Sequence, residues 1–82
     1  MDQLAPNQTK SYKDTEGGSD FVVRNPTDSA GSFNFAVDSN STKPHTIAAH
    51  ASWYTEIPDQ QTGIITNTGS VTLNIQFGGG VS

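Results

Sequence analysis

From Val71 to Phe77 the chain alternates without a slip. Val71, Leu73, Ile75 and Phe77 are apolar, and Thr72, Asn74 and Gln76 are polar. Successive side chains of a β-strand point to opposite faces, so this period of two makes one apolar face and one polar face. Just ahead, Ile64 and Ile65 are β-branched, and Asn67-Thr68-Gly69-Ser70 supplies residues that tolerate turn geometry. The stretch from Gly63 to Phe77 therefore predicts a β-hairpin. Elsewhere, Phe33, Phe35 and Val37 alternate with Asn34 and Ala36, and Phe21-Val22-Val23-Arg24 reads as a strand. Thr9 to Lys13 is a short polar strand. His45 to Ile57 is apolar enough for one or two more. Helical spacing is approached only through Ile47, Ala48, Ala51 and Tyr54, and there Trp53-Tyr54-Thr55 favours a strand.

The two halves correspond. Val22-Val23-Arg24-Asn25 matches Ile64-Ile65-Thr66-Asn67, and Tyr12-Lys13-Asp14 matches Tyr54-Thr55-Glu56 at the same spacing. After a slightly shorter turn, Ser32-Phe33-Asn34-Phe35 matches Thr72-Leu73-Asn74-Ile75, and Leu4-Ala5-Pro6 matches Ile47-Ala48-Ala49 with a one-residue slip. The expected unit is a repeat of about 40 residues, one short strand followed by a long loop and a hairpin. Repeat one covers 4–38, repeat two covers 46–77, and 78–82 is a flexible tail. Neither unit buries a face alone. The expected fold is an all-β domain spanning 1–82, a six-stranded antiparallel β-sandwich or flattened barrel with two pseudo-two-fold repeats. Its core is expected to hold Tyr12, Val23, Phe33, Phe35, Val37, Ile47, Tyr54, Ile65, Leu73, Ile75 and Phe77. One conflict stands: strand parity turns Trp53 inward, whereas the repeat turns Tyr54 inward.

Charged residues are 15% of the chain, below the usual quarter or so. A net charge of −4 with only Lys10, Lys13, Arg24 and Lys43 as bases argues against a sequence-independent grip on nucleic acid. No cysteine is present, so neither a disulfide framework nor a thiolate metal site is expected. Small domains usually need a staple, and oligomerisation is the one left by elimination. No run approaches a transmembrane helix, and the N-terminus lacks a signal-peptide pattern. A soluble protein, or a part of an extracellular or virion assembly, is expected.

The chemistry-bearing residues are sparse. His45 and His50 are the only histidines, and their spacing of five residues sets them on opposite faces of a strand, so no shared metal is expected. The carboxylate pairs Asp14/Glu16 and Glu56/Asp59 fall in or beside solvated loops, where nothing raises a pKa for acid catalysis. No nucleophile elbow surrounds any serine. The chain is expected to be non-enzymatic, with no cofactor.

Two functions follow. The first is a self-assembling structural subunit of a virion, filament or surface layer, using sheet edges or faces. Its candidate assembly residues are Leu4, Gln8, Thr72, Asn74 and Gln76, with Met1–Lys10 free to join a neighbour's sheet. The second is a lectin-like carbohydrate-binding module taking a glycan ligand. There Trp53, the only tryptophan, is the stacking ring, flanked by His50 and Glu56, with the amides of Asn34 and Asn74 for sugar hydroxyls.

Overall fold

The computed structural model describes residues 2–38 and 41–78. These form eight strands and no helix: β1 (Asp2–Leu4), β2 (Thr9–Lys13), β3 (Ser19–Arg24), β4 (Gly31–Val37), β5 (Lys43–Ile47), β6 (Ser52–Ile57), β7 (Thr62–Asn67) and β8 (Leu73–Phe77). One sheet has the order β1-β8-β3-β6 and the other β2-β7-β4-β5, with every pairing antiparallel. The all-β sandwich expectation holds, with eight strands in place of six and no closed barrel. The two strands beyond the six are β1 and β5, both at sheet edges, and β5 is the second strand that His45 to Ile57 left room for. β1 has three residues, and β5 contains Pro44, which an edge tolerates because one side of the strand makes no ladder bonds. Beyond Gly78, the tail lies outside the described residues, as do Met1, Ser39 and Asn40.

The predicted hairpin is not one. β7 pairs with β2 and β4, whereas β8 pairs with β1 and β3, so the turn between them arches from one sheet to the other. β3 and β4 are joined in the same way. The apolar faces that predicted two strands are the two walls of the core, facing one another instead of lying side by side. A buried asparagine closes each arch. Asn67 donates through Nδ2 to the carbonyls of Leu4 (2.9 Å) and Val71 (2.7 Å), and its Oδ1 accepts the N–H of Gly69 (2.9 Å). Asn25 donates to the carbonyls of Ser29 (2.7 Å) and Ile47 (3.3 Å), and its Oδ1 accepts the N–H of Thr27 (3.0 Å). Buried amides hold their place when their donors and acceptors are paired in this way.

Exchanging β1–β4 for β5–β8 turns each strand order into the other, read backwards. The registers refine the correspondence. Val23 and Ile65 are counterparts in the central strands; Val23 faces Trp53, and Ile65 faces Lys10. Trp53 therefore corresponds to Lys10, and Tyr12 to Thr55. The match of Tyr12 to Tyr54 is one residue out. Parity decides the conflict: Trp53 packs against the core, and Tyr54 is 61% exposed. The slip has a physical origin in the next position, where Asp14 is buried in the first half and Ile57 in the second.

The core contains Val23, Phe33, Phe35, Ile47, Ile65, Leu73 and Ile75 as expected, and adds Leu4, Phe21 and Ile57. Tyr12, Val37 and Phe77 are half-buried at its margin. Phe21 sits between Phe35 at 5.1 Å and Tyr12 at 5.5 Å between ring centroids. Tyr12 lies opposite Gly63, where a Cβ would come within 2.6 Å of Ile57 Cδ1. The glycine makes room for close packing that no larger residue fits without movement.

Candidate functional site

The residues singled out from the sequence do not converge. Trp53 points inward at the edge strand β6, and Glu56 points outward from the same strand, across from Asp20. His50 lies beyond β5 in a turn with φ of 59°, and its Nε2 pairs with Asp28 Oδ1 at 2.6 Å. Asn34 lies on the outer face of one sheet and Asn74 on the outer face of the other. Among the assembly candidates, Leu4 is wholly buried and unable to touch a neighbour, because its side chain fills the core beside Leu73. Gln8 is exposed in the β1–β2 turn, its Oε1 accepting the N–H of Ala5. Thr72 precedes β8, and Asn74 and Gln76 share one outer face. The N-terminal segment forms β1 and the start of β2, each an edge strand of its own sandwich.

Two clefts do form, and they are counterparts. One, of about 200 Å³, opens between β1 and β2 and is lined by Asp2, Tyr12, Ile75, Gln76 and Phe77. The other, of about 230 Å³, opens between β5 and β6. There Phe35, Ala36 and Val37 replace Ile75, Gln76 and Phe77, and Thr55 replaces Tyr12. Lys43 stands opposite Phe35 as Asp2 stands opposite Ile75, so it takes the place of Asp2. The second cleft adds Trp53 and His45, with ring centroids 4.7 Å apart. Trp53 also meets Phe33 and Phe35 edge-on at 5.2 and 5.3 Å, so the indole is anchored on the core and shows only part of itself to solvent. His45 stacks on Phe33 at 5.1 Å.

The electrostatics of the clefts differ. In the first, the Tyr12 hydroxyl donates to Asp2 Oδ2 at 2.9 Å, bridging the cleft's rim. Partial burial, then that carboxylate, pushes the Tyr12 phenol above its ordinary range. In the second, no carboxylate lines the cleft, and among the described residues neither the Lys43 ammonium nor the His45 ring has a side-chain hydrogen-bond partner. Sequence reasoning passed over Lys43, His45 and Thr55. Their signal was parity: with Ile47 inward, His45 and Lys43 fall on its face of β5, towards Trp53.

The remaining acid of interest is Asp14. It is buried where β2 leaves its sheet, and it accepts the Ser19 hydroxyl and the N–H groups of Gly18 (2.9 Å), Gln60 (3.1 Å) and Glu16 (3.3 Å). The Ser19 hydroxyl leads in holding its carboxyl below the usual range, against the opposing effect of burial. Every acceptor site is taken up by the turn, which makes Asp14 a structural anchor of the β2–β3 and β6–β7 connections. Among the described residues, no group of three or more His, Asp or Glu side chains is placed to hold a metal ion. Among the described residues, no helix is long and apolar enough to cross a membrane.

Comparison with family models, curated proteins and solved structures found no match.

Proposed function

We propose that the chain is a non-catalytic, self-associating structural subunit whose copies meet through sheet edges and faces. The observation that carries this reading is the free edge of β6. Three edge strands are blunted: β1 by its three residues, β2 by Lys10 and Lys13, and β5 by Lys43 and Pro44. β6, Ser52–Ile57, has six residues, no lysine and no proline, and bonds on one side only, to β3. Such an edge is a template for another strand. The test is light scattering after size exclusion across a concentration series. Mass that rises with concentration for the native chain, and that stays monomeric for Tyr54→Pro, which removes an N–H from the unpaired side of β6, supports the reading. A monomer at all concentrations overturns it.

The second reading, a lectin-like module, is favoured by the aromatic cleft at Trp53. The part-exposed indole beside His45 offers an apolar surface for the C–H face of a sugar. Trp53 fluorescence titrated with a panel of monosaccharides tests it.

A further inference from the structure

Building on the carbohydrate-binding reading, we propose that the cleft between β5 and β6 is a subsite for a single sugar ring bearing a carboxylate. Lys43 is its charge partner, Trp53 and His45 are its stacking surface, and the Thr55 hydroxyl is a further hydrogen-bonding group.

The two clefts occupy equivalent places in the fold. The same framework builds both, so the first shows what the position looks like when the chain satisfies it internally: Tyr12 reaches across and donates to Asp2. At the second, both members of that pair are changed. Thr55 is too short to span the opening, and Lys43 inverts the charge of Asp2. The rim is left unbridged, with a cation beside it and no acid among the described lining residues.

Charge narrows the occupant. Acids outnumber Lys and Arg by 8 to 4 along the chain, yet among the described residues this cleft is lined by a lysine and by no acid. A carboxylate completes it as Asp2 completes Tyr12. Size narrows it again. At about 230 Å³ the cleft is smaller than the pockets of roughly 300–1,000 Å³ that take drug-sized ligands, so it suits one ring. The mixture of a part-exposed indole and imidazole with hydroxyl and ammonium donors fits a ring with C–H faces and polar rims.

Trp53 is the only tryptophan, so its emission reports on this cleft alone. The titration compares glucuronate with glucose and galacturonate with galactose at constant ionic strength. The expected result is a saturable change with both uronates, at least about tenfold tighter than with the neutral partners, as loss of a charge-assisted hydrogen bond dictates. Lys43→Gln, at an exposed position, removes the preference, and the double variant Lys43→Asp with Thr55→Tyr copies the Tyr12–Asp2 bridge across the cleft and abolishes the response, with circular dichroism confirming that each is folded. Equal binding of acidic and neutral sugars, unchanged in Lys43→Gln, overturns the charge assignment and leaves the carbohydrate reading intact. No response to any of the four sugars overturns both.

Discussion

Asn25 and Asn67 close the two arches of the sandwich with the same bonds. Each amide donates to the carbonyl four residues ahead and to the carbonyl of an apolar edge residue from the other half, Ile47 or Leu4. Each backbone N–H also reaches across, Asn25 to the carbonyl of Ala51 and Asn67 to that of Gln8. Replacing either by alanine strands one buried carbonyl, that of Ile47 or Leu4, and removes the bonds to a turn carbonyl and a turn N–H. The expected cost is about 2–4 kcal/mol for each, and of similar size for both. Urea unfolding followed by circular dichroism measures it. A loss at one position only shows that the arches are not equivalent.

Trp53 and Tyr54 are adjacent and energetically unlike. Trp53 packs on Phe33, Phe35 and His45, so Trp53→Ala is expected to cost about 3 kcal/mol or somewhat less, given its partial exposure. Tyr54 is exposed and its hydroxyl bonds Asp20, so Tyr54→Ser is expected to change stability far less than Trp53→Ala. Thermal unfolding of the two variants side by side checks the order. If Tyr54→Ser is the more damaging, the inward assignment of Trp53 fails.

Asp14 makes stability depend on acid. Its carboxyl titrates below the ordinary value of 3.8 in the folded chain, so the folded state holds fewer protons there than the unfolded one. The contribution is complete above the unfolded pKa and disappears as pH falls through the lower folded value. Asp14→Asn is therefore expected to be least stable relative to the native chain near neutrality, with the gap closing in strong acid. Unfolding midpoints measured from neutral to strongly acidic pH give this directly; a gap independent of pH assigns the anchor to shape alone.

Alkaline titration reads the other cleft. The Tyr12 phenol is raised by burial and by Asp2, and the Tyr54 phenol by its hydrogen bond to Asp20. A raised phenol stabilises the fold below its unfolded pKa, and that gain is lost as pH climbs towards the folded value. Ultraviolet difference titration is expected to show both tyrosines ionising later than in the urea-unfolded chain. Asp2→Asn should return Tyr12 part of the way only, because burial is the larger cause.

The alternation of Phe33, Phe35, Leu73 and Ile75 made the sandwich walls legible, because a period of two declares a strand and its buried face without further information. What it does not declare is the partner strand. Ile65 and Leu73 lie in opposite walls of the core although their alternation equally suits a hairpin, and the buried Asn67 bonds mark the arch between them. The short edges escaped for a different reason: Asp2-Gln3-Leu4 contains too few side chains to show a period. At the candidate site, Trp53 was visible as a lone large ring, but Lys43 and Thr55 carry meaning only against Asp2 and Tyr12, and that comparison needs the register of the sheets. The match of Tyr12 to Tyr54 shows how one buried carboxylate, Asp14 in place of Ile57, displaces an alignment based on residue type.

Each sheet takes two strands from 2–38 and two from 41–78, and β4·β5 is the one ladder whose strands are joined by a short return. Neither half has a wall of its own: cut at that return, each piece would hold four strands divided between two sheets, no two of which are bonded to each other. The architecture is that of two embracing chains made continuous by one link. That link turns what would be an encounter between separate molecules into a first-order closure, at an effective concentration set by a few residues of backbone rather than by the solution.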